Sequence, residues 1–277
     1  MSPTRPRQVP VSVIIPCYRC AGTLDRAVAS IAAQTALPQE VFLVDDHSAD
    51  GGLTLASLRQ AQERYRDRFS IHIIERAENS GPSDARNLAW EQANCPYIAF
   101  LDADDSWHPR KLELQYGWMS RHPEAGFSGQ ATREVGPEGI PEITEAELPV
   151  RPVGKYVLLF SNKFSTPSIM LKRGLPFRFP QGRRYAEDYQ LWLSLIFNNA
   201  PAFIMDAPLT YSYKKPFGAG GLSKSMAPMH RGELENYRQL LRSGSIFPVL
   251  YAAVVAVSHA KYWRRRFLMW RRLRSGS

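Results

Sequence analysis

Strand and helix signals alternate four times within the first hundred or so residues, which predicts an α/β fold on a mostly parallel sheet with helices on both faces. Two further observations shape that expectation. Two of the strand-like runs end in paired acids, so an acidic rim lines one edge of the sheet. After the apolar stretch Ile246 to Val257 the chain turns abruptly basic, which sets a C-terminal helical tail apart from the body.

Taken in order, Val11-Ser12-Val13-Ile14-Ile15-Pro16 is a buried strand, and Gly22-Thr23 opens a helix with Leu24, Ala27, Val28 and Ile31 on one face. Glu40 to Val44 is a second strand, ending in Asp45-Asp46-His47-Ser48, and Gly51-Gly52 relax the chain into a helix that runs to about Arg66. Ser70 to Ile74 is a third strand. Gly81-Pro82-Ser83 starts the next helix, with Ser83 as its N-cap and Ala85, Leu88, Ala89 and Ala93 toward the sheet. Tyr97 to Leu101 is the fourth strand, and Pro109 helps start the helix beyond it. Pro123 to Pro152 is rich in Gly, Pro and Glu and predicts a long loop with short strands; Phe164 to Leu171 reads as a strand. Arg183 to Asp188 leads into a helix whose core stripe is Leu191, Trp192, Leu195 and Ile196. Ala202 to Met205 and Leu209 to Tyr213 are short strands, followed by a glycine-rich basic loop from Lys214 to Ser223. The chain contains no internal repeat and no low-complexity tract.

Hydrophobic content of 44% with 22% charged residues describes a globular protein with ample chain for a core, not a disordered one. The net charge of +9 suggests a nucleic-acid binder until it is located. Lys261, Arg264, Arg265, Arg266, Arg271, Arg272 and Arg274 lie in a stretch without an acid; setting those seven aside leaves +2 for residues 1–260. A DNA-binding surface across the body is therefore excluded. Three cysteines do not make a disulfide framework. Cys17-Tyr18-Arg19-Cys20 is a C-x-x-C between a strand and a helix, the thioredoxin-like placement, but Pro16 directly precedes it and the chain is far longer than one thioredoxin unit; two small residues in a turn is the simpler account. Met1 to Pro10 lacks the apolar core of a secretory signal, and no run reaches the ~18 apolar residues of a spanning helix, so a cytoplasmic location is expected.

The chemistry concentrates at Tyr97-Ile98-Ala99-Phe100-Leu101-Asp102-Ala103-Asp104-Asp105, which brings three carboxylates to one strand end. In open α/β sheets ligands sit beyond the carboxyl ends of the strands. Acids this close repel unless a cation joins them. On an extended chain Asp102 and Asp104 point the same way, and oxygen ligands suit a hard cation such as Mg²⁺ or Mn²⁺. The competing account is a solvated Asp-rich turn.

Five ordered segments carry a resemblance: V-S-V-I-I-P-x-Y, V-D-D-x-S-x-D (Val44 to Asp50), G-P-S-x-A-R-N (Gly81 to Asn87), F-L-D-A-D-D, and E-D-Y-x-L-W-L (Glu187 to Leu193). Over residues 9–225 the chain resembles family 2 glycosyltransferases of the GT-A fold, with 226–277 as a helical region and basic amphipathic tail. The resemblance implies transfer of a sugar from a nucleoside-diphosphate donor to a hydroxyl of a glycan or lipid-linked acceptor, with inversion, in cell-surface polysaccharide, O-antigen or lipopolysaccharide synthesis. It implies that Pro16, Tyr18 and Asp46 hold the nucleotide base, that Arg86 lies near the donor, and that Asp102 sits by ribose and metal. Asp104 would be the metal ligand with Asp105 close behind, the metal being Mg²⁺ or Mn²⁺, and Asp188 the general base. At the start of a helix, where the dipole favours an anion, Asp188 is expected to be ionised at pH 7. Where many relatives carry an Arg or His after the last strand, this chain has Tyr213-Lys214-Lys215, so Lys214 and Lys215 are expected to meet the diphosphate as point charges, and the nearest downstream histidine is His230.

Two rivals share these residues. A haloacid-dehalogenase-type phosphatase also places D-x-D after an apolar strand, but near the start of its chain and followed by Thr or Val where this chain has Ser106. A non-catalytic nucleotide-sugar-binding subunit would not need Asp104 and Asp188 intact. In the tail, aromatics and clustered arginines suit the boundary of headgroups and acyl chains, so residues 246–274 are expected to touch the inner face of the membrane.

Overall fold

The computed structural model describes residues 7–136, 139–144, 148–213 and 226–275. Its centre is the parallel unit the sequence predicts. Strand β1 (Arg7–Cys17) pairs in parallel with β2 (Ala36–Asp45) on one side and β4 (Tyr97–Phe100) on the other, and β2 pairs in parallel with β3 (Ser70–Glu75). Every second side chain faces the same way. Val13 and Ile15 of β1, with Val41 and Leu43 of β2, enter one core, shared with helix α1 (Leu24–Ala32), α2 (Leu53–Tyr65) and α4 (Lys111–Arg121). Ile14, Phe42 and Val44 enter the other, shared with α3 (Pro82–Gln92) and α6 (Glu187–Phe197). Sheet residues buried on both faces read as continuous apolar runs, which is why these strands were legible. The face predicted for α1, Leu24, Ala27, Val28 and Ile31, is the one buried.

Beyond β4 the sheet becomes mixed, with strand order β3-β2-β1-β4-β8-β6-β9-β5 among the described residues. β8 (Met170–Lys172) runs antiparallel to β4 and to β6 (Phe127–Glu134), while β9 (Ala202–Ser212) runs parallel to β6. The other edge of β9 is divided between β7 (Val150–Val153) and β5 (Asp105–Trp107), both antiparallel to it. The two short strands expected near 202 and 209 are thus one strand. It carries a bulge, because Met205 faces Gln130 but Thr210 already faces Thr132, and Pro208, which has no N–H for a ladder, falls inside it. The stretch 164–171 is a strand only at its end: Thr166–Ser168 is a turn of 3₁₀-helix leading into β8. Helix α5 (Lys155–Phe160) was not anticipated.

Ser83 is not the N-cap of α3. That position is Gly81, whose φ of +94° only glycine adopts without strain; Pro82 is the first helical residue, and Ser83 Oγ instead donates to the Arg183 carbonyl at 3.3 Å.

The C-terminal helices α7 (Met226–Arg242) and α8 (Pro248–Ser275) pack on the α6 side, adding Tyr237, Leu240, Ile246 and Val254 to that core. The close approach of α7 depends on Gly232, where a Cβ would lie 2.5 Å from the Tyr185 carbonyl oxygen. One turn later Asn236 Nδ2 donates to the Ala186 carbonyl at 2.9 Å, and Ala186 itself is left-handed at φ 54°. Helix α7 therefore braces the backbone kink from which α6 starts. Gly232→Ala is expected to lower the unfolding midpoint by an overpacking cost of about 1–3 kcal/mol, measured by urea denaturation, because backbone rather than a flexible side chain must give way.

Candidate active site

The register of β1 and β2 places Cys17 beside Asp45, and Asp46 N donates to the Cys17 carbonyl at 2.8 Å, so Pro16, Tyr18 and Asp46 come together at the carboxyl ends of the two strands. The Tyr18 ring is 47% exposed there. Asp46 is buried; its carboxylate accepts from Ser80 N at 3.1 Å and Gly81 N at 2.8 Å and pairs with Arg76 at 3.6 Å, while its carbonyl accepts from Asn79 Nδ2. It holds the turn that launches α3. Cys17 and Cys20 are buried free thiols beneath this edge.

Helix α3 carries Arg86 into the centre. An arginine on a helix is ordinarily exposed, but this one is only 4% exposed. Its Nη2 donates to Asp102 Oδ1 at 2.7 Å, and Nη1 lies 3.9 Å from Glu187 Oε1. Nε and Nη1 have no hydrogen-bond partner, which leaves buried donors directed at the place where Asp102 and the start of α6 meet.

The acid-rich segment is a structured turn. Asp105 N donates to the Asp102 carbonyl at 3.1 Å, so Asp102 and Asp104 are not presented by an extended chain as the spacing suggested; Asp105 already belongs to β5. Arg26 from α1 fixes the turn, donating from Nη2 to the Asp104 carbonyl at 2.7 Å while its guanidinium lies 3.7 Å from the centre of the Tyr213 ring. Tyr213 OH is 3.0 Å from Ser106 Oγ. Burial and the neighbouring Asp102 push the Asp105 carboxyl up to about 7, against a lowering by a hydrogen bond from Ser212.

Asp188 was expected to be ionised at pH 7. Burial, then the adjacent Glu187, raise it to about 7 instead, so desolvation and like charge outweigh the helix dipole and the Tyr189 N–H that donates to Oδ1 at 2.7 Å. Glu187 is also raised by burial, opposed by Arg86. Asp188 Oδ2 faces Thr166 Oγ1 at 3.4 Å.

The structure thus brings Asp102, Arg86 and Asp188 into one electrostatic cluster, adjacent to the turn that carries Asp104 and Asp105. Lys214 and Lys215 lie outside the described residues. His230 is engaged elsewhere, stacked on Tyr262 of α8 and 3.1 Å from His259. Sequence reasoning missed Glu187 as a partner of Arg86, though it stands in the same E-D-Y string, and missed Arg26 and Tyr213, for which no local signal exists. Among the described residues no three metal-ligating side chains converge into a complete shell. A cation of the Mg²⁺ type takes one or two carboxylates and completes its shell with phosphate oxygens and water, and the turn offers Asp102, Asp104 and Asp105 within four residues.

The family model for Glycosyl transferase family 2 matches residues 12–180. The putative teichuronic acid biosynthesis glycosyltransferase TuaG of Bacillus subtilis is 37% identical over 131 residues, 47% of this chain and 50% of that protein. The E. coli protein WfgD, a UDP-Glc:alpha-D-GlcNAc-diphosphoundecaprenol beta-1,3-glucosyltransferase, is 30% identical over 200 residues, 68% of this chain and 70% of its own. Among solved structures, S. aureus TarS 1-349 in complex with UDP-GlcNAc superposes with a TM-score of 0.67 at 21% identity, covering 93% of this chain and 72% of that one. The mannosyltransferase PcManGT from Pyrobaculum calidifontis in complex with GDP-Man and Mn²⁺ superposes at 0.63 with 19% identity, covering 90% and 73%. The expected GT-A fold is borne out.

Proposed function

The chain belongs to glycosyl transferase family 2 and is an enzyme of that class, and on this premise we propose that it is a metal-dependent, inverting glycosyltransferase using a nucleoside-diphosphate sugar and a glycan or lipid-linked hydroxyl acceptor in cell-surface polysaccharide, O-antigen or lipopolysaccharide synthesis. The observation that carries the proposal is the Arg86 bridge. One buried guanidinium ties the acid turn, where a metal and diphosphate would sit, to the helix start that presents a carboxyl with its pKa near neutrality. Residues 9–225 form the catalytic unit in this proposal and 226–277 the helical region attached to it. The phosphatase falls away with the family, and donor hydrolysis without acceptor separates the enzyme from a non-catalytic relative.

In this scheme Pro16 and Tyr18 flank the base at the exposed edge, and Asp46 fixes that edge through the 79–81 turn. Asp104 and Asp105 would hold the divalent cation beside Asp102; when bound, it neutralises the charge that develops on the leaving diphosphate. Arg86 holds Asp102 in place, and Lys214 and Lys215 add positive charge toward the diphosphate. Asp188 accepts the proton of the acceptor hydroxyl as the oxygen attacks the anomeric carbon from the face opposite the departing diphosphate. A base with a pKa near 7 is well matched to that task at neutral pH.

A thermal-shift panel of UDP-glucose, UDP-N-acetylglucosamine and GDP-mannose, with and without Mn²⁺, tests donor binding: a ligand at a hundred times its Kd stabilises by about 2.7 kcal/mol. Asp104→Ala is expected to abolish the Mn²⁺-dependent part of the shift. An unchanged Mn²⁺ requirement in that variant would place the metal elsewhere.

The tail supports the second part of the proposal, a peripheral contact with an anionic membrane. No helix among the described residues is long and apolar enough to cross a bilayer. The stretch 246–257 packs one side on the body, with Ile246 and Val254 buried and Leu250, Tyr251 and Val255 against the core, and leaves Phe247, Val249 and Val257 exposed. From Trp263 to Arg271, by contrast, every residue is exposed, and α8 contains no acid. Each basic side chain at an anionic surface is worth about 1 kcal/mol, and Trp263, Phe267 and Trp270 suit the interface. The full chain is expected to sediment with phosphatidylserine-containing vesicles at low salt and to be released at high salt. Deletion of residues 263–277, which spares the Tyr262 stack and the Lys261 bond to the Phe160 carbonyl, is expected to abolish sedimentation but not Mn²⁺-dependent donor binding. A full-length chain that ignores such vesicles at low salt sinks the contact.

A further inference from the structure

We propose that Thr166 is a positioning residue for the general base, its hydroxyl orienting Asp188 and favouring the ionised carboxylate, and that a buried polar frame built on Trp107, Gln115 and Thr210 exists to hold it there. The inference rests on Asp188 being the base. Thr166 Oγ1 is the side-chain donor that reaches the Asp188 carboxylate from another element, 3.4 Å from Oδ2. Such contacts are often long without substrate and tighten in the reacting complex.

The turn that carries it is pinned to an unusual degree. The Pro167 carbonyl accepts from Trp107 Nε1 at 2.9 Å and from Thr210 Oγ1 at 3.2 Å. The Ser168 carbonyl accepts from Gln115 Nε2 at 3.1 Å, and Ser168 Oγ donates to the Ser165 carbonyl at 2.7 Å. Gln115 Oε1 in turn accepts from Lys111 Nζ at 2.6 Å, and that nitrogen lies 4.1 Å from the centre of the Trp107 ring. Trp107, Lys111, Gln115, Ser168 and Thr210 are all buried. Burying polar groups is costly without partners, and the hydrogen bonds among them rigidify what they enclose. Here its bonds converge on the carbonyls of one three-residue turn, beside the base. Trp107 also stands two residues after Asp105, so the strand that follows the acid turn and the turn that faces the base share one frame.

The test compares the wild type with Thr166→Val, which removes the hydroxyl but keeps the shape, and Thr166→Ser, which restores it. The pH profile of kcat is read from release of nucleoside diphosphate with water as acceptor, using whichever of UDP-glucose, UDP-N-acetylglucosamine or GDP-mannose gives the largest Mn²⁺-dependent thermal shift. A carboxylate that loses a donor is harder to ionise, so the acid limb of Thr166→Val is expected to move to higher pH by about half a unit to one unit. That shift is a roughly three- to tenfold loss of kcat on the acid side, with donor KM within about twofold. Thr166→Ser is expected to return the limb to the wild-type position. Trp107→Phe, which removes one of the two donors to the Pro167 carbonyl without touching Thr166, is expected to shift the limb in the same direction by less, and stands in if the valine variant does not fold. A ¹³C-carboxyl NMR titration of Asp188, assigned by its loss in Asp188→Asn, reads the same displacement without turnover. Profiles of Thr166→Val and wild type that superimpose, or a loss equal at every pH that serine does not restore, overturn the proposal. If Asp188→Asn itself retains turnover, the base assignment is what fails; if it is inactive while Thr166→Val behaves as wild type, only the role of Thr166 fails.

Discussion

Asp188→Asn is expected to reduce sugar transfer by roughly 10²–10⁴-fold, the usual worth of a positioned general base, while Mn²⁺-dependent donor binding stays near that of the wild type. The asparagine keeps the size of the side chain and its place at the start of α6, and its amide oxygen can still accept from Tyr189 N; what it loses is the ability to take a proton. The pH dependence checks the same residue in the wild type. With its carboxyl raised to about 7 by burial and Glu187, Asp188 is protonated and inactive below that value, so kcat rises with pH through an acid limb near neutrality. The asparagine variant is expected to lose that limb. Near-normal turnover in the variant would sink the assignment and move attention to Glu187.

Arg86→Met is expected to be the most damaging single substitution for both stability and function. The methionine fills much of the same space but leaves Asp102 and the buried Glu187 without the cation they share. Breaking one side of a buried ion pair costs about 3–5 kcal/mol. The lower end applies here, because Asp102 is one-third exposed and solvent screens it. The loss appears as a lower urea midpoint at unchanged m-value. Because Arg86 also opposes the upward shift of Glu187 and Asp188, its removal is expected to push the acid limb of kcat to still higher pH. Arg86→Lys is not expected to rescue, since a single ammonium cannot span from Asp102 to Glu187 as the planar guanidinium does. A methionine variant with a wild-type midpoint would show that the bridge contributes nothing to the fold.

Much of the parallel half was legible because β1, β2 and β4 are buried on both faces and α1 shows a periodic apolar stripe, as in Val11 to Pro16 and in Leu24, Ala27, Val28 and Ile31. The strands past β4 were harder. β5 is only three residues long and β9 is interrupted by a bulge, so neither has the run length that periodicity needs. Ser83 misled because a serine beside a proline resembles a cap, whereas a glycine with positive φ does that work when its N–H is claimed by a remote carboxylate, here Asp46.

The candidate site divides in the same way. The order of the five segments specified the family and the fold, and the carboxylates at the ends of their strands, because a parallel sheet brings consecutive strand ends to one edge whatever the loops do. The sequence also marked the tail as basic and aromatic. Protonation and partnership were decided by tertiary structure alone. Arg86 reads as a surface residue until α3 buries it between Asp102 and Glu187, separated from them by 16 and 101 positions along the chain. Asp188 reads as an ordinary ionised carboxylate until packing takes away part of its water and Glu187 adds a like charge. Desolvation and Coulomb energy depend on what surrounds a group in space, and local sequence carries no measure of that.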